Sequence, residues 1–156
     1  MSVRRRRLSR LIFSALCLLT VAACGGSGPK AMRVSIQADE GANDDSPVAV
    51  SAVVIYDKAT LSELRGLSAE AWFEQVDQRI RDNPEGQLFD LLRWEIFPGQ
   101  AIEETTLDLD GRPVEGGLVF ARYLNLGEHR EFFDPAKRII IRLEQAGFRI
   151  NVLKAE

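Results

Sequence analysis

Two cysteines and one histidine limit the covalent chemistry open to this 156-residue chain. Cys24 follows Val21-Ala22-Ala23 directly, and Cys17 lies inside the preceding apolar run. A thiolate is a strong nucleophile, and its alkylation gives a thioether stable to hydrolysis, so Cys24 is the residue best suited to a covalent modification. His129, beside Glu128 and Glu131, could be drawn as a base with an orienting carboxylate. No serine or cysteine motif accompanies it, and neighbours in sequence rarely converge on one point. Glu103 and Glu104 could be imagined as paired acids, but adjacent residues of a strand point to opposite faces. Asp39, Asn43, Asp44 and Asp45 supply hard oxygen donors without the spaced glycine and terminal glutamate of an EF-hand loop. The expectation is therefore a non-enzymatic protein with no metal, no cofactor and no small-molecule substrate.

The surroundings of Cys24 give it an address. Arg4, Arg5, Arg6, Arg7 and Arg10 form a cationic segment, and residues 11–23 an apolar one too short to cross a hydrocarbon core of about 30 Å as a helix. Residues 1–23 read as an export signal. A cysteine directly after Val-Ala-Ala resembles the lipobox of bacterial lipoproteins, whose thiol receives diacylglycerol before the signal is cut and the new N-terminus acylated. Several acyl chains on one residue make a stable anchor where a single chain holds marginally. Gly25 stands where, in enterobacterial lipoproteins, an aspartate would signal inner-membrane retention, so the resemblance implies the outer membrane, with the chain facing the periplasm. Residues 24–31 then read as the lipidated cysteine and a glycine- and serine-rich flexible tether, and residues 32–156 as one domain.

Loss of residues 1–23 removes five arginines and no acids, so the formal charge falls from −3 to −8. A basic nucleic-acid surface is excluded on that balance. Cys17 leaves with the signal and Cys24 is spent on lipid, which leaves no thiol for a disulfide, a thiolate zinc site or a nucleophile.

Along the domain, residues 33–38 alternate as a half-buried strand, with Val34 and Ile36 on one side. Residues 39–47 are dense in turn formers, with almost nothing apolar to bury, and read as a surface loop. Residues 48–56 are β-branched on both faces, as in a central strand. From the N-cap Ser68, Ala69, Trp72, Phe73, Val76 and Ile80 recur at helical spacing as a core-facing stripe ending near Asn83-Pro84. Residues 88–97 read as a short helix and then a strand, with Trp94 and Phe97 packed inside. Four more strands are expected over 105–109, 118–124, 138–143 and 148–153, separated by Asp110-Gly111, Gly116-Gly117, Asp134-Pro135 and Ala146-Gly147. The last pair reads as a hairpin. Many short strands with one strong helix point to a mainly β protein, a two-sheet β-sandwich with a helical insertion between early strands. Periodicity alone leaves a barrel or an α+β sheet open.

The order of these features resembles the TssJ family, outer-membrane lipoproteins of the bacterial type VI secretion system. The resemblance covers most of residues 33–154. It rests on the polar loop Ala42-Asn43-Asp44-Asp45, on Ser46-Pro47-Val48-Ala49-Val50 leading to Ile55-Tyr56, on Trp72-Phe73, on Leu91-Leu92 before Phe97-Pro98-Gly99, and on Gly117-Leu118-Val119-Phe120-Ala121-Arg122-Tyr123. Asp57-Lys58 after Tyr56, and His129-Arg130 near the family's Trp-Arg pair, depart from its pattern. The resemblance implies a transthyretin-like sandwich tethered to the outer membrane and bound to the periplasmic domain of TssM, an inner-membrane protein. It also implies that the loop between the first two strands, here with Asn43, Asp44 and Asp45, lies at or near the partner surface. The alternatives are a pilot-type or ligand-binding periplasmic lipoprotein and, in another class, a periplasmic hydrolase.

Overall fold

Strand β2 (Val48–Ile55) is an almost unbroken apolar run because it is covered on both faces and paired along both edges. In the computed structural model, which describes residues 28–153, it lies inside the sheet β3-β2-β5-β6. Its neighbours there are β3 (Phe89–Ile96) and β5 (Gly116–Arg122), with β6 (Arg130–Phe133) beyond β5, and every pairing is antiparallel. The second sheet has the order β4-β1-β7-β8. In it β1 (Ala31–Ala38) pairs antiparallel with β4 (Ala101–Asp108) and parallel with β7 (Arg138–Leu143), and β7 forms the expected antiparallel pair with β8 (Phe148–Leu153). The two-sheet sandwich is thus the architecture observed.

Between the sheets lies the main core, where Val34 and Ile36 of β1 meet Val50, Ala52 and Val54 of β2, Val119 and Ala121 of β5, and Ile139 and Ile141 of β7. The opposite face of β2 and β5, carrying Val53, Ile55, Leu118 and Phe120, is covered by two helices inserted between β2 and β3. The first, α1 (Lys58–Leu64), lies outside the sequence reading; Asp57 caps it by accepting from Thr60 N (2.7 Å) and Thr60 Oγ1 (2.8 Å). The second, α2 (Ala69–Asp82), begins at the expected cap, with Ala71 N donating to Ser68 Oγ at 3.2 Å. Its Trp72 is fully buried, stacked on Phe120 (centroids 4.9 Å apart, planes at 9°) and edge-on to Phe89.

Several expectations are corrected. Residues 89–96 are all strand, without the expected helix: Leu91 packs with the helical layer and Leu92 with the sandwich core, so adjacent leucines reflect a strand with two apolar faces. Gly116 and Gly117 open β5 rather than forming a turn; a Cβ at Gly117 would stand 2.0 Å from the Phe133 ring, so glycine permits the β5–β6 approach. β4 starts at Ala101, earlier than expected, and β6 was not anticipated. β1 starts at Ala31, and Gly28 N donates to Gly111 O (3.1 Å), so ordered contact begins within the segment read as tether. Ile80 and Phe97 are not core residues: they are 39% and 55% exposed, Ile80 bordering an open groove against β3 and Phe97 leading into a turn. Trp94 is half-buried against the main core. Cys24 and the signal segment lie outside the described residues.

Truncating Trp72→Ala should lower the unfolding free energy by about 3–5 kcal/mol in urea titrations, since it opens a cavity between α2 and the sheet. Trp72→Phe should cost clearly less, because it keeps a ring against Phe120 and removes an indole N–H that has no acceptor among the described residues. Equal losses for both variants would show that this aromatic stack does not hold the helix.

Candidate partner-binding site

Strand register decides which loops meet. Val48 lies opposite Ile96, Ala49 opposite Arg122, Ala38 beside Leu143 and Gln37 beside Ala101. Four loops, residues 39–47, 97–100, 123–129 and 144–147, therefore emerge at one end of the sandwich. The chain enters β1 at the other end, where Ala31 faces Asp108.

At the loop end Asn43 is a hub. It is 2% exposed, so its amide is not presented to solvent. Its Nδ2 donates to Pro47 O (2.9 Å) and its Oδ1 accepts from Leu124 N (2.7 Å), while its backbone N–H donates to Glu144 O (3.2 Å). One residue thus fixes loop 39–47 to the β5–β6 and β7–β8 loops. Ala42 is fully buried beside it, so the loop does bury an apolar group, contrary to the sequence reading.

Asn43, Asp44 and Asp45 take φ values of 51°, 50° and 60° in succession. This left-handed region costs about 1–2 kcal/mol for most residues but is visited by Asn and Asp, whose short polar side chains bond locally. The residue types thus serve the backbone as well as the charge. Asp44 and Asp45 are exposed, with Asp44 Oδ1 accepting from Gln145 Nε2 (3.0 Å). Asp39 faces Arg142 at 2.9 Å. With that carboxylate paired and the Asn43 oxygen spent on Leu124, the four oxygen donors of this loop do not converge on one point.

The β5–β6 loop is held just as firmly. The Tyr123 hydroxyl donates to Gly147 O and accepts from Glu144 N (3.2 Å), and its ring stacks on His129 with centroids 4.9 Å apart. Burial, reinforced by the nearby carboxylates of Glu144 and Asp39, lifts this hydroxyl above the usual tyrosine range. His129 sits at φ 44° with Nε2 3.0 Å from Asn125 O, and Glu128 is paired with Arg130 rather than with the imidazole. The ring is thus a structural filler. Glu104 of β4 lies 3.7 Å from both Arg33 of β1 and the half-buried Arg138 of β7, in a charge cluster across the sheet. Leu124 and Leu126 of the β5–β6 loop are 70% and 96% exposed. With Tyr123 and His129 they border a cleft of about 260 Å³ against the start of α2.

At the opposite end, Tyr56, Asp90 and Arg112 form a second polar lock. Tyr56 Oη donates to Asp90 Oδ2 (2.7 Å), Arg112 pairs with the same carboxylate and donates to Gly86 O (2.8 Å), and its guanidinium lies over the Tyr56 ring. Burial first, and then the Asp90 bond, raise the Tyr56 hydroxyl as well.

A two-sheet sandwich with a helical insertion after its second strand, and with loops gathered at the end away from the start of β1, has the fold of the TssJ lipoproteins. Two solved structures carry that conclusion, and a third shares the architecture. The T6SS lipoprotein TssJ1 from Pseudomonas aeruginosa superimposes with a TM-score of 0.60 at 16% identity, over 82% of this chain and 99% of that one. Serratia marcescens Lip, a membrane-bound component of the type VI secretion system, gives 0.55 at 16%, over 78% and 96%. A chain from a structure described as the T6SS protein TssM C-terminal domain (869-1107) from EAEC gives 0.56 at 15%, over 79% and 98%. No family model matches the sequence, and no curated protein matches it.

Sequence reasoning singled out the loop at 43–45 but missed Leu124, Leu126 and the Tyr123 hydroxyl that ties the loops together. The aromatic closing Gly117–Tyr123 was a signal for the last of these; nothing in sequence separates Leu126 from a core leucine.

Asn43→Ala should destabilise the domain by about 2–4 kcal/mol, since it breaks two hydrogen bonds and leaves alanine in a left-handed conformation. Asn43→Gly should recover about 1 kcal/mol of that by relieving the backbone alone. Identical values for the two variants would contradict the strained turn. Both tyrosines have raised folded-state pKa values, so the stability they contribute is complete below their unfolded value near about pH 10 and lost as pH rises above it. Urea titrations between pH 8 and 11 should show a fall above about pH 10. Tyr56→Phe/Tyr123→Phe should flatten that fall, and an unchanged slope would overturn the assignment.

Proposed function

We propose that this chain is a lipoprotein of a type VI secretion membrane complex, anchored in the outer membrane through Cys24 and bound through its loop end to the periplasmic domain of TssM. The observation that carries the reading is the opposition of the two ends. The chain leaves the anchor side at Ala31, and β1, eight residues long, carries it about 26 Å to the four loops. The residues from Cys24 to Ala31 reach at most about 25 Å further. A protein held to a membrane at one end and offering its ordered loops at the other is suited to bridging, and the likeness to TssJ1 and Lip across nearly their whole length supports the same reading. Asp44 and Asp45 suit a partner patch of lysines and arginines, where exposed charges steer encounter and fix register more than they add affinity.

The role is mechanical coupling, with no bond made or broken apart from lipidation. The test is co-purification with the TssM periplasmic domain encoded in the same genome, in moderate salt. A stable complex is expected, and its absence would contradict the secretion role. Cys24→Ser should still bind that domain but move from the membrane fraction to the soluble periplasmic one and abolish secretion. A variant that stayed membrane-bound and secreted normally would remove the anchor from the account.

A further inference from the structure

We infer that the apolar contact of this loop end is made by Leu124 and Leu126 of the β5–β6 loop, and that the partner offers an apolar recess bordered by lysine or arginine. This rests on the proposed bridging function and names the contact chemistry of that same end.

Leu126 is 96% exposed and Leu124 70%, so neither side chain contributes much to the core. A single exposed leucine is ordinary. These two sit on a loop pinned on both sides: Leu124 N donates to Asn43 Oδ1 (2.7 Å), Asn125 Nδ2 donates to Ala146 O (3.1 Å), and His129 Nε2 approaches Asn125 O (3.0 Å). An apolar side chain on a pre-formed loop loses little further freedom on binding, which is what gives such a contact its affinity.

Charge then specifies the surroundings. Arg142, Arg130 and Arg149 are paired with Asp39, Glu128 and Glu144. Glu40, Asp44 and Asp45 are exposed and have no ion pair among the described residues, while Arg122 borders the cleft beside the leucines. Asp44 follows the Asn43 that holds Leu124, so the acids and leucines form one continuous surface with the leucines to one side. A recess that accepts the leucines must therefore bring positive charge to the aspartates. An acidic or uniformly polar face would meet like charge and leave the leucines in water.

The experiment uses the full chain purified in detergent and the TssM periplasmic domain in solution, with association and dissociation followed at several salt concentrations. Leu124→Ser/Leu126→Ser should weaken binding at least tenfold, mostly through faster dissociation, with the salt dependence unchanged. Asp44→Asn/Asp45→Asn keeps residues that tolerate the left-handed turn; it should slow association severalfold and flatten the salt dependence. Leu88→Ser, an exposed leucine before β3 at the other end, should leave binding unchanged. A leucine variant that binds within twofold of the parent would overturn this inference while the bridging function stands. A parent chain that does not bind would overturn both.

Discussion

The double burial of β2 is the constraint on which the rest of the molecule depends. One face of this strand belongs to the interface between the sheets and the other to the helical layer, while β3 and β5 take up its backbone groups on either side. A polar group at such a position is costly, since burying an unpaired amide or hydroxyl costs on the order of 1–3 kcal/mol, and β2 carries one, the buried Ser51 hydroxyl, which has no partner among the described residues. The helices follow from this. Without α2, Val53, Ile55, Leu118 and Phe120 would form a bare apolar face, and Trp72 is the side chain that closes it. Because β2 lies between its neighbours in fixed register, the ends of β3 and β5 must rise beside its start, which brings the loops of both sheets together.

That gathering of loops makes the proposed binding end a consequence of topology, refined by local chemistry. Asn43 joins three of the four loops into one surface by spending both ends of its amide and its backbone N–H on three different segments. Tyr123 repeats the device from the other side, bonding the β7–β8 hairpin while its ring supports His129. The exposed groups are thus carried on a buried polar framework, which is how a loop can be both chemically available and geometrically defined. The Tyr56–Asp90–Arg112 cluster does the corresponding work at the end where the chain enters β1, so both ends of the sandwich are closed by a tyrosine-centred network.

Much of the fold was legible because long-range packing and local pattern agreed. The alternation of β1, the β-branched run of β2, the capped stripe of α2 and the β7–β8 hairpin all express the burial they meet in the structure. Failures came where tertiary context overrode local pattern. Leu91-Leu92 looked helical because period two is invisible when both faces of a strand are apolar, and Gly116-Gly117 looked like a turn because the Phe133 ring that requires glycine comes from β6, a strand remote in sequence. Within the candidate site, Asn43 stood out by residue type, but its burial did not; a polar residue in an acidic loop gives no sign that its partner is the backbone of Leu124, far along the chain. Cys24 lies outside the described residues, and its expected lipidation rests on the flanking sequence alone.

The central claim is that the end of the sandwich remote from Ala31 is the face that meets the partner. Hydrogen–deuterium exchange of the chain with and without the TssM periplasmic domain tests it most directly. The account predicts slowed exchange in loops 39–47 and 123–129, with residues 109–115 at the opposite end unchanged. Protection confined to 109–115 or to the β8 edge, with both loops exchanging as in the free chain, would contradict it.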